Sequence, residues 1–422
     1  MTSPRDYLSQ LNSSVIRLGL TPIRRLLESL HNPQETYGSV LIGGTNGKGS
    51  IAATIAAILA EAGYSVGLYT SPHLVDLRER ICINGQMITW EALDALIEEV
   101  RERVGEEITY FEFLTALAFL HFGRMQVDIA VLEVGLGGRL DATNVVNPLV
   151  SVISNISLEH QEYLGRRLAD IAREKGGIIK ESGPCITGAK QRPVREVLAE
   201  ICRARSTRLY RLGSDIGIRN HRDGTFSYSG LNKQYGSLTL ALTGKHQIEN
   251  AALALGALEV LAERGFPTAE DDIKEGLKKT VWEGRLEVLQ TNPQLIVDGG
   301  HNAACITALC RSLQEDFSYQ RLILIFAALG DKNFPLMLKK IAPLADRIII
   351  TRPETDRAVP PEKLCEAARR YHGAVEVAAT TRQALKRARV LAGKGDLICA
   401  TGSLYLVGEV KKALVKGRNS VI

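Results

Sequence analysis

Short runs of β-branched and aliphatic residues alternate with helix-length stretches along most of this chain, and that alternation restricts its fold more than any other feature. Residues 40–42, 66–69, 129–134, 150–153 and 185–187 read as buried parallel strands. Between them, 51–62, 90–104, 113–122, 168–179 and 194–204 read as helices. The repeat predicts a mostly parallel, doubly wound α/β sheet. The texture changes over 207–242, where short alternating segments with turns at His221-Arg222-Asp223-Gly224 and Ser229-Gly230 predict a small antiparallel portion appended to that sheet. An alanine-rich helix is expected over 248–262, and Thr291-Asn292-Pro293 reads as a linker. The alternation then restarts with strands at 295–297, 322–326, 347–350, 375–378 and 397–400. The expected organisation is a first domain over 1–290 and a smaller, Rossmann-like α/β domain over 294–422.

The loop after the first strand carries the chemistry. Gly43-Gly44-Thr45-Asn46-Gly47-Lys48-Gly49-Ser50 follows 40–42 and opens the helix 51–62. A strand, a glycine-rich turn and a helix N-terminus aim backbone N–H groups and the helix dipole at one point, which suits phosphate. Lys48 adds a mobile positive charge. Gly44, Thr45, Asn46, Gly47, Lys48, Gly49 and Ser50 are therefore the expected nucleotide contacts. The spacing departs from the common G-x-x-x-x-G-K-[ST], because Ile42 stands at its first glycine and Gly49 separates Lys48 from Ser50. Glu133 ends the strand before Gly135-Leu136-Gly137-Gly138, on the edge where open α/β sheets bind ligands. A carboxylate there, in a phosphate-loop protein, points to Mg²⁺. The second domain has no such loop, so it is expected to close over the nucleotide of the first.

At 422 residues the chain is long enough for two or three domains with sizeable cores. Its 52 Lys and Arg against 47 Asp and Glu give a net charge of +5, without a basic stripe or tail, which argues against nucleic acid. The seven cysteines are scattered without a C-x-x-C pair and read as reduced thiols of a cytoplasmic protein. The first residues, MTSPRDYLSQ, lack an apolar signal-peptide core, and no apolar run approaches a membrane span.

Gly-Thr-Asn-Gly-Lys-Gly-Ser resembles the ATP loop of the Mur ligase superfamily. Further blocks narrow the resemblance to folylpolyglutamate synthase/dihydrofolate synthase. They are Thr70-Ser71-Pro72-His73-Leu74, Arg78-Glu79-Arg80-Ile81, Tyr110-Phe111-Glu112, the stretch from Glu133 through Gly138-Arg139-Leu140-Asp141-Ala142-Thr143-Asn144, Arg173-Glu174-Lys175, Gly284-Arg285 and Asp298-Gly299-Gly300-His301-Asn302. The resemblance implies a monomeric ATP-dependent amide ligase. It would add L-glutamate to dihydropteroate, to the terminal glutamate of reduced folates, or to both, through an acyl phosphate. Two other readings stand beside it: a Mur-type ligase with a different carboxylate acceptor, and a nucleotide-binding switch without catalysis.

The resemblance also assigns residues. Ser71, Glu133 and His160 correspond to Mg²⁺ ligands; by spacing alone, His160 is equally an ordinary loop histidine. Lys175 reads from its neighbours as a surface lysine paired with a glutamate, whereas the corresponding family lysine is carbamoylated and helps to hold a second Mg²⁺. The family has Asp where this chain has Glu159, which puts the hydrogen bonds around His160 in question. Asn250, Arg285 and Asp298 correspond to further ATP contacts, with His301 as a nucleotide neighbour. Leu20, Thr109, Phe111, Glu112, Leu140, Asp141 and Ala142 fall in the blocks that bind the pterin-bearing acid; Phe111 suits either stacking on a flat heterocycle or a core position.

Overall fold

The computed structural model describes residues 3–11, 15–105, 108–181 and 183–418, and of 415–418 the backbone alone. Positions 1–2, 12–14, 106–107, 182 and 419–422 of the two expected domains lie outside those residues. The chain forms two compact units, one comprising 1–73, 77–241 and 247–281, the other 74–76, 242–246 and 282 onward. Among the described residues, no helix is long and apolar enough to cross a membrane.

The first unit is built on β1 (Gly38–Gly43), β2 (Val66–Tyr69), β3 (Ile81–Ile83), β4 (Gln86–Met87), β5 (Ile129–Glu133), β6 (Val150–Ile153), β7 (Cys185–Thr187) and β8 (Leu209–Arg211). Their order is β4-β3-β2-β5-β1-β6-β7-β8. All pairings from β2 to β8 are parallel, and β3 and β4 add an antiparallel edge. Strand alternation divides the apolar residues between two faces. Val40, Ile42, Val131 and Val152 pack with Ile51, Ile55 and Ile58 of the helix Lys48–Glu61 and with Ala251, Leu255 and Leu258 of the helix Lys245–Ala262. Leu41, Leu132 and Ile153 face the other way, against Phe113 and Leu117 of Tyr110–Arg124 and Val194 and Leu198 of Arg192–Ala204. Both faces are covered, so β1 lies fully buried and its loop emerges only at the carboxyl edge.

Two expectations are corrected. The antiparallel portion is not appended to the main sheet: β9 (Gly217–Asn220), β10 (Phe226–Ser229) and β11 (Gln234–Leu238) form a sheet of their own, while β8 extends the main sheet in parallel. Nor is 291–293 a linker. It is the tip of an antiparallel hairpin between β12 (Glu287–Thr291) and β13 (Gln294–Asp298), inside the second unit. The run EVLQT of β12 mixes polar and apolar residues, as an edge strand exposed to water does, and so carried no apolar signal.

In that second unit β14 (Leu322–Phe326), β15 (Arg347–Ile350), β16 (Val375–Val377) and β17 (Leu397–Thr401) complete a sheet of order β12-β13-β17-β14-β15-β16, parallel except for β12. Leu324, Phe326, Ile348 and Cys399 bury one face, and Ile323, Ile325, Ile349 and Ile398 the other. The sheet is again covered on both sides.

Candidate active site

The loop 44–47 is shaped by what stands behind it. Gly44 and Gly47 have φ of +129° and +87°, the left-handed region that glycine enters without strain. A Cβ on Gly44 would stand 2.0 Å from Ser154 Oγ, and one on Gly47 would stand 2.4 Å from Asn250 Oδ1. Both glycines are therefore required by space as well as by conformation. Asn155, two residues beyond β6, clasps the loop: its Oδ1 accepts from the Asn46 N–H at 3.2 Å and its Nδ2 donates to the Asn46 carbonyl at 3.1 Å. Its own carbonyl accepts from the Thr45 N–H at 2.7 Å, and the Ser157 N–H donates to Thr45 Oγ1 at 3.1 Å. Asn250 is buried on the helix Lys245–Ala262 and donates through Nδ2 to Gln247 Oε1 at 2.9 Å. Asn155 and Gln247 are functional candidates that sequence reasoning passed over; position just beyond a strand's carboxyl end was the available signal for Asn155.

Lys48 opens its helix with Nζ 3.4 Å from the Thr45 carbonyl and 4.0 Å from Glu133 Oε1. Glu133 ends β5 with 5% exposure, and its Oε2 accepts from the Ser71 N–H at 3.1 Å. Ser71 follows β2, and His160 follows β6 at φ +45°. Since β2, β5, β1 and β6 are neighbours, Ser71, Glu133, the loop and the approach to His160 share one sheet edge. Among the described residues no group of three or more His, Cys, Asp or Glu side chains is arranged for a metal ion. Ser71, Glu133 and His160 offer one hydroxyl, one carboxylate and one imidazole.

Lys175 is not on the surface. It is 2% exposed, and its Nζ donates to the Gly44 carbonyl and to Glu159 Oε1, each at 2.8 Å. Burial lowers its pKa, while the Glu159 charge opposes that shift. Burial raises the Glu159 pKa, but Lys175 and then Lys48 outweigh it and bring it down to about 2. Glu159 is thus a carboxylate at neutral pH. That carboxylate, where the family has Asp, is engaged by Lys175.

Several residues expected to touch the acid substrate have structural tasks. Thr109 caps Tyr110–Arg124, with its N–H on Glu112 Oε2 at 2.9 Å and the Glu112 N–H on its Oγ1 at 3.3 Å. Asp141 Oδ2 accepts from the Leu136 N–H at 2.8 Å and Oδ1 from the Thr143 N–H at 3.0 Å, fixing the turn that holds Leu140 and Ala142. Burial raises the Asp141 pKa against those bonds. Phe111 is half-buried, with its Cζ 2.5 Å from where a Cβ on Gly135 would stand, and Leu20 packs on the same core. In the second unit, Asp298 Oδ1 accepts from the Gly300 N–H at 2.8 Å and Oδ2 from the Leu286 N–H at 3.1 Å. His301 Nδ1 lies 3.0 Å from the Gly299 carbonyl. An Arg285 guanidinium nitrogen lies 3.3 Å from where a Gly299 Cβ would stand, so Arg285, Asp298 and His301 meet around Gly299.

Residues 42–258 match the Mur ligase middle domain and 284–404 the Mur ligase, glutamate ligase domain. Together with a phosphate loop at the carboxyl edge of a covered parallel sheet, these matches define a Mur-type ligase. Among curated proteins, the chain is 33% identical over 417 residues to the dihydrofolate synthase/folylpolyglutamate synthase of Bacillus subtilis, covering 94% of this chain and 95% of that one. It is 36% identical over 427 residues to a probable bifunctional folylpolyglutamate synthase/dihydropteroate synthase of Haloferax volcanii, covering 96% of this chain but only 49% of that protein, so it spans about half the length of that relative. Among solved structures, E. coli FolC in complex with DHPP and ADP superposes with a TM-score of 0.92 at 30% identity, over 99% of each chain. The chain belongs to the folylpolyglutamate synthase/dihydrofolate synthase family, whose members are ATP-dependent glutamate ligases.

Proposed function

We propose that this protein uses ATP to join L-glutamate to dihydropteroate, to the terminal glutamate of a reduced folate, or to both, releasing ADP and phosphate. The observation that carries this reading is the juxtaposition of Lys48, Glu133 and the backbone of the loop at one sheet edge. The E. coli relative, similar over 99% of each chain, is solved in complex with DHPP and ADP, which supports this reading.

A carboxylate is a poor acylating agent because oxide would have to leave. Attack of its oxygen on the γ-phosphorus of ATP gives an acyl phosphate and ADP, and phosphate is then the leaving group. The glutamate amine attacks the acyl carbon, and the tetrahedral adduct collapses to amide and phosphate after losing the amine proton. Charge neutralisation and positioning dominate such a reaction. The N–H groups of 44–49 and the Lys48 amine would face the phosphates, Asn155 and Asn250 would keep the loop in shape, and Gly44 would be braced from behind by Lys175. Arg285 supplies forked donors for phosphate, and Asp298 and His301 a polar wall near the ribose. Phe111, Leu20 and the 140–142 turn are assigned to the pterin-bearing acid.

The donors fit Mg²⁺, which prefers oxygen and retains water and phosphate ligands. Glu133, the Ser71 hydroxyl and His160 would hold it. Bound there, it would supply positive charge to the phosphate oxygens. A second ion requires another anion, which a carbamoylated Lys175 would provide once its amine left Glu159; burial favours the neutral amine that such a reaction needs.

The test is product mass spectrometry of the purified protein with ATP, Mg²⁺ and glutamate, offered dihydropteroate or a reduced folate. A mass increase of one glutamyl residue, with stoichiometric ADP, is expected for at least one acceptor. ADP release only with an unrelated carboxylate would favour a different Mur-type ligase, and none with any acceptor a non-catalytic switch.

A further inference from the structure

Arg285 stands between two residues with left-handed backbone, Gly284 at φ +71° and Leu286 at φ +46°. Leu286 is 2% exposed and has no glycine freedom, so its conformation is strained and persists only where the surroundings enforce it. Strain of this kind, held beside a charged side chain, points to a positioned group.

The restraints are visible. The Leu286 N–H donates to Asp298 Oδ2 at 3.1 Å and the Gly299 N–H to the Gly284 carbonyl at 2.7 Å, which ties the segment to the end of β13. From the other side, the Gly284 N–H donates to Glu287 Oε2 at 2.6 Å. Glu287 is in turn gripped by Lys411, whose Nζ lies 2.7 Å from Oε1 and 2.9 Å from Oε2 and also reaches Glu283. Lys411 projects from the helix Leu404–Arg418, which the buried Leu406, Val407 and Val410 fix on the sheet, and its side chain is only 14% exposed. Helix, lysine, carboxylate and strained segment form one chain of contacts ending at the Arg285 guanidinium over Gly299.

We propose that Lys411, acting through Glu287, is the positioning residue that fixes the Arg285 side chain for its role toward the nucleotide. The role rests on the reading of Arg285 as a phosphate contact. It differs from simple pinning of a helix to a hairpin, because its effect must pass through Arg285.

A double-mutant cycle on the whole protein, read as KM for ATP against kcat and melting temperature, tests it. Arg285→Ala is expected to raise KM for ATP about tenfold or more, as loss of a charge-assisted contact does. Lys411→Met should raise it by roughly threefold to tenfold in the wild-type background, but by less than about twofold once Arg285 is gone, since coupled residues do not add. Lys411→Arg should restore most of the wild-type value. If Lys411→Met fails to fold, Glu287→Gln removes the same grip and must show the same non-additivity. A lowered melting temperature with unchanged KM, or effects that add, would overturn the positioning role while leaving the Arg285 reading intact. A silent Arg285→Ala would overturn both.

Discussion

The Lys48 amine lies 4.0 Å from Glu133 Oε1, while the helix it opens is anchored by the buried Ile51, Ile55 and Ile58. Lys48→Ala therefore touches the phosphate cradle and not the core. It is expected to leave the melting temperature nearly unchanged and to lower turnover by roughly 10²–10³-fold; near-normal turnover in a steady-state assay would remove the loop from catalysis. Glu133→Gln keeps an oxygen for the Ser71 N–H but loses the charge, so half-maximal activity should need more Mg²⁺. A titration that overlays wild type would make Glu133 structural. Lys175→Ala leaves Glu159 charged and buried, so it should cost about 3–5 kcal/mol of stability as well as activity. If a carbamate acts here, a short-chain carboxylic acid should restore part of the activity of Lys175→Ala, and Lys175→Arg should be inactive; a fully active arginine variant would exclude the modification. The place of Lys48 was legible because strand, loop and helix are contiguous in sequence, and that of Glu133 because it ends an apolar strand run. The surroundings of Lys175 were not, since its partner Gly44 lies 131 residues away. The T-x-x-E spacing of Thr109 and Glu112 is that of a capping box, a local role that the sequence also displays.

At the scale of elements, apolar runs located the parallel strands other than the edge strand β8 to within a residue or two, because both faces of each sheet are covered and burial leaves little choice of residue. The segments that sequence misplaced are half-exposed: β12, β3 with β4, and the small sheet β9–β11. The small sheet depends on a polar anchor that no periodicity reports. Glu259, buried on the helix Lys245–Ala262, is that anchor. Its carboxylate accepts from the Tyr228 hydroxyl at 2.6 Å and from the N–H groups of Leu231, Asn232 and Lys233 at 3.0, 2.6 and 2.9 Å. Glu259→Ala orphans those donors together and should cost on the order of 3 kcal/mol. Urea unfolding would measure the loss, and hydrogen exchange should show it concentrated in 226–238. A change below about 0.5 kcal/mol would mean that water replaces the carboxylate.

For the whole molecule, a net charge of +5 is too small to steer partners, so selectivity for anionic substrates has to come from local sites. The clearest global consequence of a nucleotide site is linkage: a ligand that binds only the folded protein adds about 2.7 kcal/mol of stability at a hundredfold excess over Kd. The loop supplies N–H donors whatever the metal, whereas Ser71, Glu133 and His160, as the proposed metal ligands, would act only through an ion. ADP with Mg²⁺ is therefore expected to raise the melting temperature by several degrees, and EDTA to remove most, but not all, of that rise. In Lys48→Ala the rise should shrink with or without metal, because the lysine charge is lost from the phosphate site itself. In Glu133→Gln the protein should respond to ADP as wild type does in EDTA, and added Mg²⁺ should bring little further gain. Differential scanning calorimetry across these combinations separates the two contributions. An EDTA-insensitive rise in the wild-type protein would leave the loop as the nucleotide site and remove Ser71, Glu133 and His160 from metal binding.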